Sequence, residues 1–155
     1  MITDEYKRAI ITINERLKDS DISWAITGSL GFALHGIDLK INDIDLQTNE
    51  AGAYQIQEAF NASIIKKVIF SESGNIRSHF GALKVDGVKV EIMGALQKKL
   101  PNGEWEPPVD IENHRGYIIY EGMNLPVLSL SYEEKAYRKL GRIEKADKIK
   151  KWLIG

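Results

Sequence analysis

The chain has 155 residues, of which 43% are hydrophobic and 28% are charged, and this is the composition of one ordinary globular domain. It contains no cysteine, which excludes thiol catalysis and thiolate metal sites. The net charge of −1 gives no overall attraction to nucleic acid, and no apolar run reaches the roughly 18 residues of a membrane span. Because the acidic N-terminus lacks the cationic flank of a signal peptide, we expect a cytoplasmic protein with no membrane partner.

The first part of the chain predicts alternating helices and strands. Tyr6, Ile10, Ile13 and Leu17 recur at helical spacing and predict a helix that Thr3 caps. The elements predicted next are a strand over 23–27, a helix capped by Ser29 and ended by Gly36, a strand over 44–48, a helix over 50–60 capped by Asn49, and a strand over 64–70.

The middle of the chain predicts a loop and two hairpins. Residues 71–78 are polar and contain glycine, so we expect a loop there. Asp86-Gly87 is a strong signal for a two-residue turn and joins strands over 81–85 and 88–92. After an irregular acidic stretch over 101–108, a second hairpin is expected over 116–128, turning near Glu121 and Gly122.

The end of the chain predicts a basic helical tail. Ser131 and Glu134 form a capping box at its start, and residues 131–155 contain eight basic against four acidic side chains. The predicted fold class is α/β (α+β), with a mixed β-sheet flanked by helices. We expect residues 1–130 to form this domain and residues 131–155 to form a short C-terminal helical tail packed on it.

Gly28 and Ser29 form the first candidate site, because they directly follow a predicted strand and open a helix. Glycine lets the backbone approach a ligand closely, and a helix N-terminus offers free N–H groups to a phosphate. Many turns of this kind serve only to cap the helix, so the pair alone decides nothing.

Asp43 and Asp45 form the second candidate site, at the start of a predicted strand. Alternate residues of a strand point to the same face, so both carboxylates project together while Ile44 faces the core. Carboxylates so close raise each other's pKa unless a cation lies between them, and oxygen ligands of this kind suit Mg²⁺. The competing interpretation is a turn in which Asp45 is simply solvated.

Glu91 is the third candidate residue, on the polar face of the strand over 88–92. A lone glutamate on such a face is usually solvated. It gains interest here because a third carboxylate is what a two-cation site for phosphoryl transfer needs.

Together these residues resemble the DNA polymerase β-type nucleotidyltransferase superfamily. The resemblance covers about residues 24–93, and the stretch over 27–36 is particularly similar to the minimal nucleotidyltransferases. It implies that Asp43, Asp45 and Glu91 are catalytic and bind one or two Mg²⁺ (or Mn²⁺) ions. It also implies that Gly28 and Ser29 hold the β- and γ-phosphates of a nucleoside triphosphate while an acceptor hydroxyl attacks the α-phosphate and pyrophosphate leaves.

Two basic regions bear on nucleotide binding. Relatives often carry Arg and Thr where this chain has Leu39 and Ile41, and Lys40 is expected to substitute electrostatically. The tail, with Lys139 and Leu140 before a basic cluster, is similar to the helical ending of some nucleotidyltransferase-like proteins. Lys135, Lys139 and Arg142 would form a basic stripe towards the triphosphate or a nucleic acid if one helix runs through Gly141, the alternative being a solvated helix face.

Histidines and tryptophans complete the candidates. His79 is either a general base near the site or a structural histidine, and His35 is expected to be structural. Trp24 is expected in the core. Trp105 and Trp152 are candidate contacts of a homodimer.

Three functions remain open from the sequence. The first is nucleotidyl transfer to a hydroxyl of an unknown acceptor: a small molecule, a protein or RNA. The second is a nucleotidyltransferase-fold binding or regulatory protein, such as an antitoxin-like partner of a HEPN-type toxin, with little or no turnover. The third is a structural α/β domain whose acidic residues are surface charges.

Overall fold

The computed structural model describes residues 2–154, which form six helices, seven strands and one short 3₁₀ turn. The helices are α1 (Asp4–Leu17), α2 (Gly28–Leu34), α3 (Glu50–Ala59), α4 (Ile111–His114), α5 (Leu130–Lys139) and α6 (Ile143–Ile154). The strands are β1 (Trp24–Thr27), β2 (Ile44–Thr48), β3 (Ile64–Ser73), β4 (Ile76–Val85), β5 (Val88–Lys98), β6 (Arg115–Tyr120) and β7 (Met123–Leu128). None of the helices within residues 2–154 has the length and apolar composition needed to cross a bilayer.

All seven strands form one sheet in the order β3-β4-β5-β2-β1-β7-β6. β2 runs parallel to β5 and β1 runs parallel to β7, whereas the other neighbours are antiparallel. The predicted α/β fold class with a mixed sheet flanked by helices is therefore confirmed.

Helices α1 and α3 supply the main hydrophobic core, together with one face of the central strands. We call this the core face, and its β2 and β5 residues are Ile44, Leu46, Val90 and Ile92, all fully buried. The predicted stripe on α1 packs here, with Ile10, Ile13 and Leu17 buried and Tyr6 partly buried. Burial of each such side chain stabilises the fold by roughly 1.5–3 kcal/mol, so this face holds much of the stability.

The opposite face of β2 and β5 carries Asp45, Gln47 and Glu91, and we call it the site face. Side chains of α5 lie over it, and a separate small cluster of Phe32, Leu130 and Ile149 packs α6 against α2. The tail helices therefore cover the polar side of the sheet.

Some of the predicted helix N-caps are present in the structure and others are not. The Asn49 side chain accepts a hydrogen bond from the Gly52 N–H at 2.7 Å, which confirms the predicted cap of α3. Thr3 occupies the N-cap position of α1 but makes no side-chain cap bond. The caps predicted at Ser29 and Ser131 are wrong, because the backbone is already helical there.

The N-cap residues found instead are Thr27 for α2 and Ser129 for α5. Both have extended backbone dihedrals, which an N-cap requires, and the Ser129 Oγ accepts from the Tyr132 N–H at 3.2 Å.

The loop predicted over 71–78 is also wrong. β3 and β4 form one long hairpin whose strands continue to Ser73 and restart at Ile76, with Gly74 in the left-handed region at φ +60°. β3 lies at the edge of the sheet and much of it is exposed, so polar residues occupy strand positions without cost. The hairpins turning at Asp86-Gly87 and at Glu121-Gly122 are confirmed.

Candidate active site

Asp45 and Glu91 lie side by side on the site face. Asp45 is the register partner of Glu91 in the parallel pairing of β2 with β5. Adjacent strands are about 4.8 Å apart, so the two carboxylates are neighbours. Burial, followed by the charges of Glu91 and Asp43, raises the pKa of Asp45 to about 7. The fold therefore places these carboxylates close together in spite of their electrostatic repulsion, and a bound cation would offset that repulsion.

Asp43 lies just before β2, on a segment that α1 anchors. The Tyr6 hydroxyl donates a hydrogen bond to the Asn42 carbonyl at 2.6 Å and also lies 3.2 Å from the Ile41 carbonyl. The charge of Asp43 contributes to the raised pKa of Asp45. Within residues 2–154 no set of three or more His, Asp and Glu side chains is arranged to hold a metal ion, so Asp43, Asp45 and Glu91 alone do not form a complete metal site.

Gly28 lets the turn between β1 and α2 lie directly against Asp45. Its φ of +67° is in the left-handed region, and a Cβ built on it would overlap the Asp45 carboxylate. Next to it, the Ser29 Oγ accepts a hydrogen bond from the Asn42 N–H at 3.1 Å. Gly28 and Ser29 thus join the turn to the segment that carries both aspartates.

Glu133 of α5 joins the same turn from the other side. It is 5% exposed, and its Oε2 accepts a hydrogen bond from the Thr27 hydroxyl at 2.7 Å. Burial raises the pKa of this carboxyl, and hydrogen bonds from Thr27 and from the backbone of Gly28 partly offset that effect. The Gly28 backbone therefore interacts with Glu133, in addition to its close approach to Asp45.

A cavity of about 200 Å³ opens between the site face and α5, beside Asp45 and Gly28. The left-handed Ala95 (φ +52°) lies in a β-bulge of β5. The bulge shifts the strand alternation by one residue, so Leu96 and Lys98 line the cavity together with Met93. The Lys98 Nζ donates a hydrogen bond to the Tyr132 hydroxyl at 2.7 Å, and burial lowers the pKa of this lysine.

A family model for aminoglycoside-2″-adenylyltransferases matches residues 9–151, which is nearly the whole chain. The chain belongs to the aminoglycoside-2″-adenylyltransferase family. It is therefore a member of the nucleotidyltransferase superfamily, as the resemblance in its sequence indicates. No protein of curated function has a significantly similar sequence.

Solved structures extend the family assignment. A Thermotoga maritima protein considered a candidate nucleotidyltransferase is 50% identical, with a TM-score of 0.88, and the match covers 99% of this chain and 95% of that one. The lincomycin-bound lincosamide antibiotic adenylyltransferase LnuA is 15% identical at a TM-score of 0.54, covering 96% and 98%. ANT(2″)-Ia in complex with adenylyl-2″-tobramycin is 9% identical at a TM-score of 0.58, covering 94% and 87%. The last two show a shared fold.

The predicted basic stripe of the tail does not form, whereas the nucleotide contacts predicted for Lys40 and Lys139 stay predictions. α5 ends at Lys139, and Gly141 at φ +79° separates it from α6, so the predicted stripe of Lys135, Lys139 and Arg142 does not lie on one helix. The Lys139 Nζ forms an ion pair with the Glu106 carboxylate at 2.8 Å. Lys40 is exposed on the segment between α2 and β2.

Lys98 and Glu133 are charged residues near the carboxylates that sequence reasoning missed, and Lys145 was expected only as a member of the basic cluster of the tail. Lys145 of α6 lies over the Phe32 and Tyr137 rings, at 5.5 and 4.7 Å, and its charge acts to lower the pKa of Asp45. No local pattern in the sequence predicts that these residues lie at the site. The packing of the tail helices brings Glu133 and Lys145 there, and the bulge in β5 brings Lys98.

Neither His79 nor His35 contacts the candidate ligands Asp43, Asp45 and Glu91 among the contacts of the described residues. His79 is the register partner of Gly94 and contacts α3, where its ring nitrogens lie 2.8 Å from the Tyr54 hydroxyl and 3.4 Å from the Glu50 carboxylate. Because α3 packs on the core face, the general-base interpretation of His79 is wrong. The His35 Nε2 is 3.0 Å from the Leu128 carbonyl, which fits the structural role expected of it.

Proposed function

We propose that this protein transfers a nucleoside monophosphate from a nucleoside triphosphate to an acceptor hydroxyl, with Mg²⁺ or Mn²⁺ bound by Asp43, Asp45 and Glu91. The observation that supports it is the Asp45–Glu91 pair, held in register beneath Gly28. The mechanism requires positioning and charge neutralisation, which carboxylates and a divalent cation supply without a protein nucleophile.

The donor set fits a hard divalent cation. All the candidate ligands are carboxylate oxygens, and Mg²⁺ is usually bound by one or two carboxylates together with substrate phosphates. Within residues 2–154 the carboxylates alone do not make a complete metal site. This is compatible with a site in which the phosphates of the nucleotide supply the remaining ligands. When bound, the cation neutralises charge on the phosphoryl oxygens and polarises them.

The residues of the chain have separate roles in this proposal. Gly28 allows the β1–α2 turn to approach the phosphates and the Asp45 carboxylate at once. Glu133 holds that turn through Thr27 and Gly28. The acceptor oxygen forms a bond to the α-phosphorus, the bond to pyrophosphate breaks, and the hydroxyl proton passes to an oxygen of the Glu91 carboxylate. Lys145 of α6 offsets part of the negative charge of Asp45.

The acceptor is proposed to be a small molecule. The structure of LnuA contains lincomycin and that of ANT(2″)-Ia contains adenylyl-2″-tobramycin, so antibiotics are the first acceptors to test. A protein or RNA acceptor would need a broad open surface, whereas the cavity beside Asp45 measures about 200 Å³.

A second candidate function is nucleotide binding with little turnover, as in an antitoxin-like regulatory protein. One observation favours it: the backbone of Gly28 already interacts with the buried Glu133 carboxylate. This candidate predicts that nucleotide stabilises the protein while no pyrophosphate is released with any acceptor or partner protein.

Thermal unfolding and pyrophosphate release together test these proposals. Each nucleoside triphosphate at about 100 times its Kd should stabilise the protein by roughly 2.7 kcal/mol, and only with Mg²⁺ or Mn²⁺ present. Asp45→Asn should remove both this effect and the pyrophosphate released with lincomycin or tobramycin, whereas the exposed control Asp19→Asn should change neither. Stabilisation that is independent of metal, or unaffected by Asp45→Asn, would overturn the metal site.

A further inference from the structure

The two edge strands of the sheet differ in their protection against pairing with another chain. β3 carries Lys66, Lys67 and Glu72, and its register against β4 shifts twice. Charged side chains and bulges of this kind keep an edge strand from pairing further. β6, at the other edge, has no charge and no proline over 116–120, and it pairs with β7 without a shift. β6 therefore lacks the features that block the addition of a strand.

Apolar side chains lie beside this unprotected edge, and we call them the edge patch. Tyr117 and Ile119 are exposed and share one face of β6, opposite to Ile118, which packs on the main core. Leu153, near the end of α6, borders the same depression as Tyr117, and Ile154 follows it in the chain; both are exposed. Adjoining exposed apolar side chains mark an interaction surface. A partner on this surface would contact the strand and the end of α6 together.

The turn after β6 determines which backbone groups of the strand face outward. Both residues of the turn at 121–122 are left-handed, with φ of +49° and +77°, as in a two-residue hairpin. A hydrogen-bonded pair flanks such a turn, and bonded and non-bonded pairs alternate beyond it, so Tyr117 is at a non-bonded position. Its register partner Pro126 has no N–H, which agrees with this position. The N–H and C=O groups of Tyr117 and Ile119 therefore point away from β7, and within residues 2–154 no strand pairs with this edge.

These outward groups allow β6 to pair with a second copy of itself. In antiparallel pairing about a two-fold axis at Ile118, Tyr117 of one copy exchanges hydrogen bonds with Ile119 of the other, and symmetry repeats the pair. An aromatic residue opposite a β-branched residue is a favourable cross-strand combination. The same register places Tyr120 opposite Gly116 of the other copy, where an aromatic ring covers the glycine. The axis lies near the middle of the strand, so almost all of both copies is paired.

We propose that this protein forms a symmetric homodimer through β6, in which the two seven-stranded sheets join into one and the edge patches pack together. The self-complementary register favours a second copy over an unrelated chain, because a two-fold contact uses the same surface twice. The edge patch is small, so we expect a dimer with a Kd on the order of 10 µM. The proposal is independent of the proposed function, since β6 carries none of the candidate ligands.

Sedimentation equilibrium of the full chain tests the proposal directly. Between about 1 and 200 µM the mass should rise from that of the chain towards twice that value. The chain has a mass of 17.5 kDa. A mass that stays at this value up to the highest concentration would overturn the proposal.

A matched pair of lysine variants assigns the dimer to one edge of the sheet. Ile119→Lys places a charge in the joint and should raise the Kd of the dimer at least about 100-fold. It should leave thermal unfolding of the monomer nearly unchanged, because Ile119 is 70% exposed. Ile69→Lys, on β3 and 59% exposed, is the control and should leave the Kd unchanged. A dimer that persists in Ile119→Lys, or that is lost in Ile69→Lys, would overturn the assignment to β6.

Introduced cysteines test the register, because the chain contains none of its own. Ile118→Cys would place two thiols at opposite positions across the axis, where the Cα atoms are about 4.5 Å apart and a disulfide is possible. Gly116→Cys is the control: its Cβ meets open space, but its equivalent in the other copy would be about 13 Å away along the strands.

We expect mild oxidation to link the Ile118→Cys chains into a covalent dimer on a non-reducing gel and to leave the Gly116→Cys chains unlinked. Equal linkage of the two variants, or linkage of Gly116→Cys alone, would overturn the proposed register. If Ile118→Cys does not fold, the mass of the wild type and the comparison of Ile119→Lys with Ile69→Lys still decide whether β6 forms the dimer.

Discussion

The two faces of β2 and β5 serve different purposes, although their residues alternate along the same strands. The core face consists of four fully buried aliphatic side chains packed against α1 and α3. The site face carries the paired Asp45 and Glu91 and, beneath α5, the buried Oε1 of Gln47, which has no hydrogen-bond partner within residues 2–154. The comparison shows that the core face stabilises the fold. The site face instead holds repelling carboxylates and an unpaired polar atom, whose energetic cost a bound ligand would reduce.

The largest expected effect comes from removing one charge of the site face. Asp45→Asn should lower nucleotidyl transfer by roughly 1,000-fold, about 4 kcal/mol of transition-state stabilisation, since the proposed metal loses a ligand. Its unfolding free energy should not fall, because a repelled carboxylate is replaced by a neutral amide of the same shape. Steady-state kinetics and urea unfolding measure the two quantities, and a destabilised variant with normal kcat would reverse the assignment of the two faces.

Neighbouring residues of β5 allow a direct comparison of the faces. Ile92→Ala should destabilise the protein by about 3 kcal/mol, because Ile92 is fully buried in the core. Met93→Ala, one residue along, should cost less than about 1.5 kcal/mol, because Met93 is only partly buried and lines the cavity. Urea midpoints of the two variants decide this, and equal losses would show that both faces support the fold alike.

The unfolding free energy should depend on pH because of Asp45 on the site face. The pKa of Asp45 is raised from 3.8 to about 7 on folding, so the native state binds the extra proton. The contribution of Asp45 to the unfolding free energy therefore falls as pH rises from about 4 to 7 and stays at its lower value above pH 7.

Asp45→Asn should accordingly exceed the wild type in stability by on the order of 2 kcal/mol at about pH 8, after allowance for partial exposure, and match it near pH 4. Urea unfolding in EDTA at several pH values, with Asp19→Asn as the control, measures the difference. A constant offset across this pH range would contradict the raised pKa.

The smallest expected effect concerns a helix cap next to the core face. Asn49→Ala should cost about 1 kcal/mol, because the Asn49 side chain satisfies the Gly52 N–H at the start of α3. Thr3→Ala is the matched control and should remain within about 0.5 kcal/mol, since Thr3 makes no such bond. Thermal unfolding of the two variants tests this, and a larger loss for Thr3→Ala would show that the helix N-termini are assigned incorrectly.

Sequence reasoning located β1, β2 and the Asp86-Gly87 hairpin because their signals are local. Alternation along 44–48 and 88–92 also predicted which side chains share a face, and so placed Asp45 and Glu91 opposite the core. The sequence did not contain the register of β2 against β5, since the paired residues lie far apart in the chain and either register satisfies the alternation. The resemblance to nucleotidyltransferases supplied the expectation that they meet.

The missed features depend on tertiary packing. Gln47 was passed over because its missing partner is visible only once α5 covers the sheet. Lys98 was missed because a bulge at Ala95 reverses the alternation before it. The ion pair of Lys139 with Glu106 was not predicted, because it forms only when the 101–108 segment folds back. Each of these outcomes depends on where a distant segment lies, and no local pattern encodes that.

The contact between Gly28 and Asp45 limits how this protein can be redesigned. Only a hydrogen atom on the α-carbon of residue 28 separates the backbone from the carboxylate, so any side chain there would displace the aspartate. An engineer seeking a new acceptor would therefore leave that position alone and vary α5 and the segment around Arg142. These border the cavity from the side opposite β2 and, with Glu133 kept because it binds the turn through Thr27, they can change while the turn and strand stay as they are.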